Sequence, residues 1–310
     1  MKTSLVFFGN ERIATGVSTT TPIFRALLDA GYEIEAVIVN REKATSRKNR
    51  VQEIEEIAMS HNIAIHSPAS SNELLEICKT FKSNIAVLVA YGRIVPQSVI
   101  DEFPLGIINV HPSLLPKHRG SVPLESVILQ GEQETGVSIM QLVKAMDAGP
   151  VYDQTRISLN GQETKQQLAD QLSELAAKRL TKVLPGIINC DISPNPQSEA
   201  EASYDQRIVK SDGLIDWYKT ASTIEREIRA YAGWPRSSTK LGEVDVIITK
   251  ADSSPANDAS GKPGDIGIIE EQGLLTIETA NGTLFVDRLI PAGKKEMTAA
   301  EFIRGYKSKF

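Results

Sequence analysis

With 310 residues, 41% of them hydrophobic and 24% charged, the chain has the composition of a soluble globular protein of one large or two ordinary domains. No apolar run approaches the roughly 20 residues that span a bilayer, and the two cysteines, Cys78 and Cys190, form neither a disulfide framework nor a metal-ligand spacing, which points to a reducing cytoplasm. The formal net charge of −5 argues against a protein that coats nucleic acid broadly, so any RNA contact has to be local.

The apolar stretch after Ser4 is too short for a signal sequence and reads as a first strand over 5–8. A helical pattern over 22–30 leads to a second strand over 33–39. A helix over 51–60, a short strand over 63–65 and a helix over 72–81 follow. The apolar run 85–90 and, after a short helix, the run 106–110 supply two more strands. Near-continuous apolar strands separated by helices mean a parallel sheet covered on both faces. Right-handed crossovers then give an α/β, doubly wound, Rossmann-like domain. Ligands in such sheets bind beyond the carboxyl ends of the strands. Asn109 and His111, at i and i+2, face the same side there. A long amphipathic helix over 164–184 carries Leu168, Leu172, Leu175 and Val183 on its buried stripe.

Composition changes after 190. Pro194 and Pro196 lie in a stretch without periodicity, so 191–203 reads as a linker between a catalytic domain (1–190) and a second domain (204–310). In that second domain a helix is expected over 220–231 and strands over 244–249, 264–269, 274–279 and 283–289. Asn281-Gly282 is a strong hairpin signal because both residues tolerate positive φ. Several short strands in about 100 residues suggest a small, OB-like β-barrel.

The segment richest in chemistry is Asn109-Val110-His111-Pro112-Ser113-Leu114-Leu115-Pro116, where a strand ends in two polar side chains and a proline-stiffened turn. Downstream, Met146-Asp147-Ala148-Gly149-Pro150 forms a loop between two apolar runs. On spacing alone His111 equally suits a strand-end histidine bonded to a backbone carbonyl, Asn109 a turn former and Asp147 a turn cap. His61 and His66 read as structural, His118 as a neighbour of the turn, and Trp217 and Trp234 as domain core or interface rather than a stacking platform. Gly9 alone is no dinucleotide fingerprint. Between Asn40 and Arg50 the local charge is +4, from Arg41, Lys43, Arg47, Lys48 and Arg50 against Glu42. Phosphate contact or a solvated helix start both fit such a loop.

The strand-and-turn segment, with Arg119-Gly120 after it, resembles the signature of the folate-dependent formyltransferases. Ala90-Tyr91-Gly92-Arg93-Ile94-Val95-Pro96 and Glu134-Thr135-Gly136-Val137-Ser138-Ile139-Met140 resemble the branch of that family that acts on charged tRNA. So do Ile215-Asp216-Trp217, Ile228-Arg229-Ala230-Tyr231 with Trp234-Pro235, and Pro291-Ala292-Gly293-Lys294-Lys295. The likeness covers nearly the whole chain in order. It departs at Gly9-Asn10-Glu11-Arg12, where the family has a Gly-Thr-Pro turn, at Glu125, where glutamine is common, and in the loop 40–50.

The resemblance implies transfer of a formyl group from 10-formyltetrahydrofolate, used as co-substrate without a metal, to the amino group of methionine on charged initiator tRNA. It implies Asn109, His111 and Asp147 as catalytic residues. Ser113, Leu114, Leu115 and Pro116, with the backbone of Val89, Ala90 and Tyr91, would line the folate site. A cytoplasmic monomer is expected, with Arg41, Lys43, Arg47, Lys48 and Arg50 toward tRNA. Such chemistry needs a proton acceptor, which a histidine supplies near neutral pH. It also needs a donor to the oxyanion, which an asparagine amide supplies, and an aspartate to orient and charge-tune the histidine. An amino sugar nucleotide as acceptor, hydrolysis of the same folate, and non-catalytic RNA binding are the alternatives.

Overall fold

The computed structural model describes residues 3–10, 12–13, 17–18, 21–41, 51–254, 261–269 and 273–309. The chain divides into two compact units: Met1–Leu124, Glu134–Leu159 and Gln167–Gln206 form the first, and Glu125–Gln133, Asn160–Gln166 and Arg207–Phe310 the second. Among the described residues no helix is long and apolar enough to cross a membrane.

The first unit is built on a seven-stranded sheet. Its strands are β1 (Ser4–Gly9), β2 (Glu33–Ile38), β3 (Ala64–His66), β4 (Ala86–Val89), β5 (Ile107–His111), β6 (Glu134–Gln141) and β7 (Val151–Ser158), in the order β3-β2-β1-β4-β5-β6-β7. The first five pair in parallel, and β6 and β7 join antiparallel. Every residue of β4 and β5 is buried, which is why both read as unbroken apolar runs. Helices α1 (Pro22–Asp29), α2 (Glu53–Ser60), α3 (Ser71–Cys78) and α4 (Gln97–Ile100) fall between the parallel strands. Phe8, Leu74, Cys78, Leu88, Val99 and Phe103 belong to one core cluster, and Phe7 meets Phe24 of α1 with ring centroids 4.9 Å apart. Burial pushes the Cys78 thiol up to about 12, with Glu102 adding to the shift, so Cys78 is inert core.

Strand order reverses between β1 and β4, which makes their carboxyl ends the switch point where such sheets open a crevice. Asn10 lies at the end of β1, and its Nδ2 donates to the Ala90 carbonyl at 3.2 Å. Helix α5 (Pro123–Gln130) precedes β6, and α6 (Lys165–Ile188) follows β7. Helix α6 runs past the expected stop at 184 because Pro185 costs only one bond near a helix end, and Asn189 still donates to the Pro185 carbonyl at 3.0 Å. Strand β3 sits one residue later than its sequence pattern predicts.

Residues 191–203, expected as a linker, run along the first unit. Val151 and Asn195 exchange two backbone bonds of 2.8 Å, and Ser203 donates to the Pro116 carbonyl at 3.2 Å.

In the second unit, β8 (Ser237–Leu241), β9 (Val244–Ser254), β10 (Ile266–Ile269), β11 (Leu274–Glu278) and β12 (Thr283–Pro291) pair antiparallel in the order β10-β11-β12-β9-β8, and β13 (Met297–Thr298) pairs with β12. The turn between β11 and β12 carries Gly282 at φ 90°. A side chain there would collide with the Ser254 carbonyl, so the hairpin signal has a steric basis. Helix α7 (Ala221–Ala230) is capped by Thr220, whose Oγ1 accepts from the Thr223 N–H at 3.2 Å. It gives Ile224 and Ile228 to a core shared with Ile248, Leu284 and Val286 of the sheet and Phe302 of α8 (Ala299–Tyr306). Lys165 donates to Glu125 at 3.3 Å and to the Trp234 carbonyl at 3.1 Å. Burial holds the Lys165 ammonium below its usual pKa against the opposing pull of Glu125.

Candidate active site

Strand β5 lies between β4, in parallel, and β6, antiparallel. Asn109 is opposite Leu88 and Met140, and His111 is opposite Ser138. This interior position fixes the register. It places Asn109 and His111, only 6% and 5% exposed, toward the carboxyl edge beside 89–91.

The imidazole of His111 is held through its Nε2, which donates to the main-chain carbonyl of His118 at 2.9 Å. In the neutral ring the other nitrogen then carries the lone pair. That nitrogen, Nδ1, lies 3.8 Å from Asp147 Oδ1, beyond hydrogen-bond reach. Orientation of the ring therefore comes from a backbone carbonyl seven residues on, with the Asp147 carboxylate beside the other nitrogen. The second carboxylate oxygen, Oδ2, accepts from the Gly120 N–H at 2.9 Å.

The turn after β5 is pinned from the sheet below. Ser138, fully buried, donates its hydroxyl to the Ser113 carbonyl at 2.7 Å and accepts from the Leu115 N–H at 3.1 Å. Gln154 of β7 donates to the Leu115 carbonyl at 2.8 Å, and Ser113 Oγ closes the turn on the Lys117 carbonyl at 2.8 Å. Leu114 and Pro116 are left half-buried. A Cβ at Gly136 of β6 would lie 2.1 Å from the Thr155 carbonyl and 2.6 Å from Leu114 Cδ2, so only glycine fits between β7 and the leucine. The peptide Leu115-Pro116 is cis.

His118 sits at φ 58°. Its Nδ1 meets Asp205 Oδ1 at 3.0 Å, with both side chains 3% exposed. Its N–H donates to Ser203 Oγ at 2.9 Å. Arg119, also fully buried, donates to Gln197 Oε1, Glu199 and Tyr204 Oη.

At the end of β4, Ala90 takes φ 46° and Val89 and Tyr91 are buried. The Tyr91 ring packs edge-on to Phe8 at 5.6 Å, and burial raises its phenol pKa against the charge of Arg93. This segment offers its main chain at the crevice rather than its side chains. In the basic loop, Arg41 keeps a half-exposed guanidinium and donates from Nε to the buried Glu55 at 3.0 Å. Lys43, Arg47, Lys48 and Arg50 lie outside the described residues.

Thus His111 and Asp147 come together across 36 residues of sequence, with Asn109 on the same strand and 89–91 at the end of the neighbouring one. Sequence reasoning missed Ser138, Gln197, Ser203 and Asp205. Ser138 had a signal, a hydroxyl between the apolar Val137 and Ile139 of β6; the other three act only through long-range contacts. The set combines a carboxamide donor, an imidazole with one free nitrogen and a carboxylate beside that nitrogen, which together can move a proton next to a developing oxyanion. Among the described residues no group of three or more His, Cys, Asp or Glu side chains could hold a metal ion.

Residues 11–184 match a family model described as formyl transferase, and 207–307 match one described as formyl transferase, C-terminal domain. The chain is 34% identical over 308 residues to a protein of Enterococcus faecalis named methionyl-tRNA formyltransferase, covering 98% of this chain and 96% of the relative. A protein of the same name in Bacillus subtilis is 32% identical, with 98% and 95% covered. Among solved structures, an N-formyltransferase from Helicobacter canadensis in complex with folinic acid and dTDP-3-aminofucose shares the fold at TM-score 0.68 and 21% identity, over 92% of this chain and 99% of that one. HypX from Aquifex aeolicus in complex with tetrahydrofolic acid does so at TM-score 0.65 and 17% identity, over 96% and 46%.

Proposed function

The chain belongs to the formyl transferase family, and from that footing we propose that it moves the formyl group of 10-formyltetrahydrofolate to the α-amino group of methionine on charged initiator tRNA, giving N-formylmethionyl-tRNA. The observation that carries the chemistry is the His111 ring, occupied at Nε2 and open at Nδ1 toward Asp147. The acceptor follows from collinear similarity to named relatives along nearly all of both chains.

The folate supplies the formyl carbon and a nitrogen leaving group. Half-buried Leu114 and Pro116 and the main chain of Val89, Ala90 and Tyr91 suit a flat ring with amide-like edges, an apolar wall beside peptide donors and acceptors; Ser113 and Leu115 hold that wall in place. Asn109 donates to the formyl oxygen as negative charge gathers there. The amine nitrogen bonds to the formyl carbon and gives a proton to His111 Nδ1. As the carbon–nitrogen bond to the folate breaks, the proton returns to the departing nitrogen. Asp147 stabilises the imidazolium in between.

Arg41 with Lys43, Arg47, Lys48 and Arg50 forms the RNA-facing loop, and residues 204–310 the second tRNA-contacting domain of a cytoplasmic, monomeric enzyme. Neutralising the five basic residues should weaken tRNA affinity and flatten its salt dependence without changing folate affinity. An unchanged salt slope would return the loop to solvated surface.

The deciding experiment offers charged initiator tRNA, an amino sugar nucleotide and water alone to the enzyme with 10-formyltetrahydrofolate. Formylation of the tRNA supports the proposal. Preference for the sugar nucleotide would make an amino sugar the acceptor, the class of molecule bound in the Helicobacter canadensis neighbour, hydrolysis in water would make it a folate hydrolase, and no tetrahydrofolate release at all would leave an RNA-binding protein.

A further inference from the structure

Asp147 stands at φ 48°, a left-handed conformation that costs an aspartate on the order of 1 kcal/mol or more and persists only where its surroundings impose it. Two residues on, Gly149 packs so closely on β6 that any Cβ would strike the Gln141 carbonyl. The carbonyls of Asp147 and Gly149 are both taken by one side chain: Gln197 Nε2 donates to them at 2.8 and 2.6 Å. Its Oε1 accepts from Arg119 Nε and Nη2 at 3.1 and 3.0 Å. Reversing the amide would set an oxygen against two carbonyls and an NH2 against a guanidinium, so the partners dictate one orientation.

Arg119 is anchored in turn. It is fully buried, paired with Glu199 at 3.0 and 2.7 Å and with Tyr204 Oη at 2.7 Å. The next residue, Gly120, donates to Asp147 Oδ2. The loop is thus gripped by its main chain through Gln197 and by its carboxylate through Gly120, with Arg119 joining the two grips.

We propose that Gln197 is a positioning residue for the reaction: it holds the backbone of Asp147 so that the carboxylate stands beside His111 Nδ1. This rests on the reading that Asp147 serves His111 in formyl transfer. The Gln197→Glu variant isolates the effect. It keeps the size and an oxygen for Arg119 but replaces the donating NH2 with an oxygen that repels both carbonyls. A displacement of about 1 Å at a catalytic group can cost about 100-fold. We expect kcat to fall roughly 10- to 100-fold, with both Michaelis constants within about twofold of the parent and the melting temperature supported by Arg119. Gln197→Met, nearly isosteric and unable to donate, should do the same and serves if the glutamate variant does not fold. In Asp147→Asn/Gln197→Glu the losses should not add, because both act through one carboxylate.

Parent-like kcat in both single variants, or full additivity in the double variant, would overturn the proposal while leaving Asp147 in the mechanism. If Asp147→Asn alone keeps the parent kcat, the reading of Asp147 fails and the role of Gln197 falls with it.

Discussion

His111 and His118 stand seven residues apart on one turn, and each faces an aspartate. His118 and Asp205 meet at 3.0 Å with both side chains 3% exposed. His111 and Asp147 stand 3.8 Å apart, with the carboxylate 15% exposed. The closer pair is a completed hydrogen bond that ties the turn to residues 203–205. The looser pair leaves one ring nitrogen with capacity to spare and a charge near enough to reward its use. Burial and contact alone would rank His118 as the more important histidine; unspent hydrogen-bonding capacity reverses that order. The pairs are linked, because the carbonyl of His118 holds the ring of His111.

The largest effect should come from His111→Ala, with turnover down by roughly 10²–10⁴, the range for positioned acid–base catalysis, and folate binding retained in equilibrium titration. A parent-like kcat would abolish the contrast at its root. Next, Asp147→Asn should lower kcat by at least about 10²-fold, with Michaelis constants little changed because the loss belongs to the transition state. If instead the melting temperature drops and kcat holds, Asp147 is a turn cap and the two pairs are alike. The variant Asp205→Asn should show the opposite balance: a loss of about 1–3 kcal/mol in denaturant unfolding, the cost of disturbing a buried polar pair, and a fall in kcat under about tenfold. A collapse of kcat as deep as that of Asp147→Asn, at parent stability, would break the division. Smallest of all, Ser203→Ala removes the acceptor of the His118 N–H and should cost about 1 kcal/mol, with kcat within about twofold.

The same contrast marks where the sequence could be read. The parallel strands were legible because β4 and β5 are buried on both faces and carry only apolar runs until Asn109. Strand β7 was not: it is a half-exposed edge whose residues Tyr152, Asp153, Gln154, Thr155 and Arg156 show no burial pattern. Strand β8 has the same problem, with Leu241 its only large apolar residue. The polar ends of a strand announce themselves locally, so Asn109 and His111 stood out, and Asp147 followed by resemblance. Nothing local distinguishes Gln197, Ser203 or Asp205. They are polar residues in a proline-containing stretch, and their roles exist only once the chain has returned to the turn. The ring's anchor was hidden for another reason: it is a carbonyl, which every residue carries.

That return has a consequence for synthesis. A chain leaving the ribosome has made the His111 strand and the Asp147 loop while Gln197, 50 positions beyond Asp147, and Tyr204, 85 beyond Arg119, are still unmade, with the whole of α6 to come between. The sheet is topologically complete at β7, yet Glu199 and Tyr204, which Arg119 meets, and Asp205, which His118 meets, all lie in the stretch still to come. A nascent chain halted at the end of α6 would therefore carry Asn109, His111 and Asp147 together with Arg119, but not the Glu199 carboxylate that Arg119 meets. Residues 195–205 are thus the last of this unit to be synthesised, and they carry the groups that meet its buried charges.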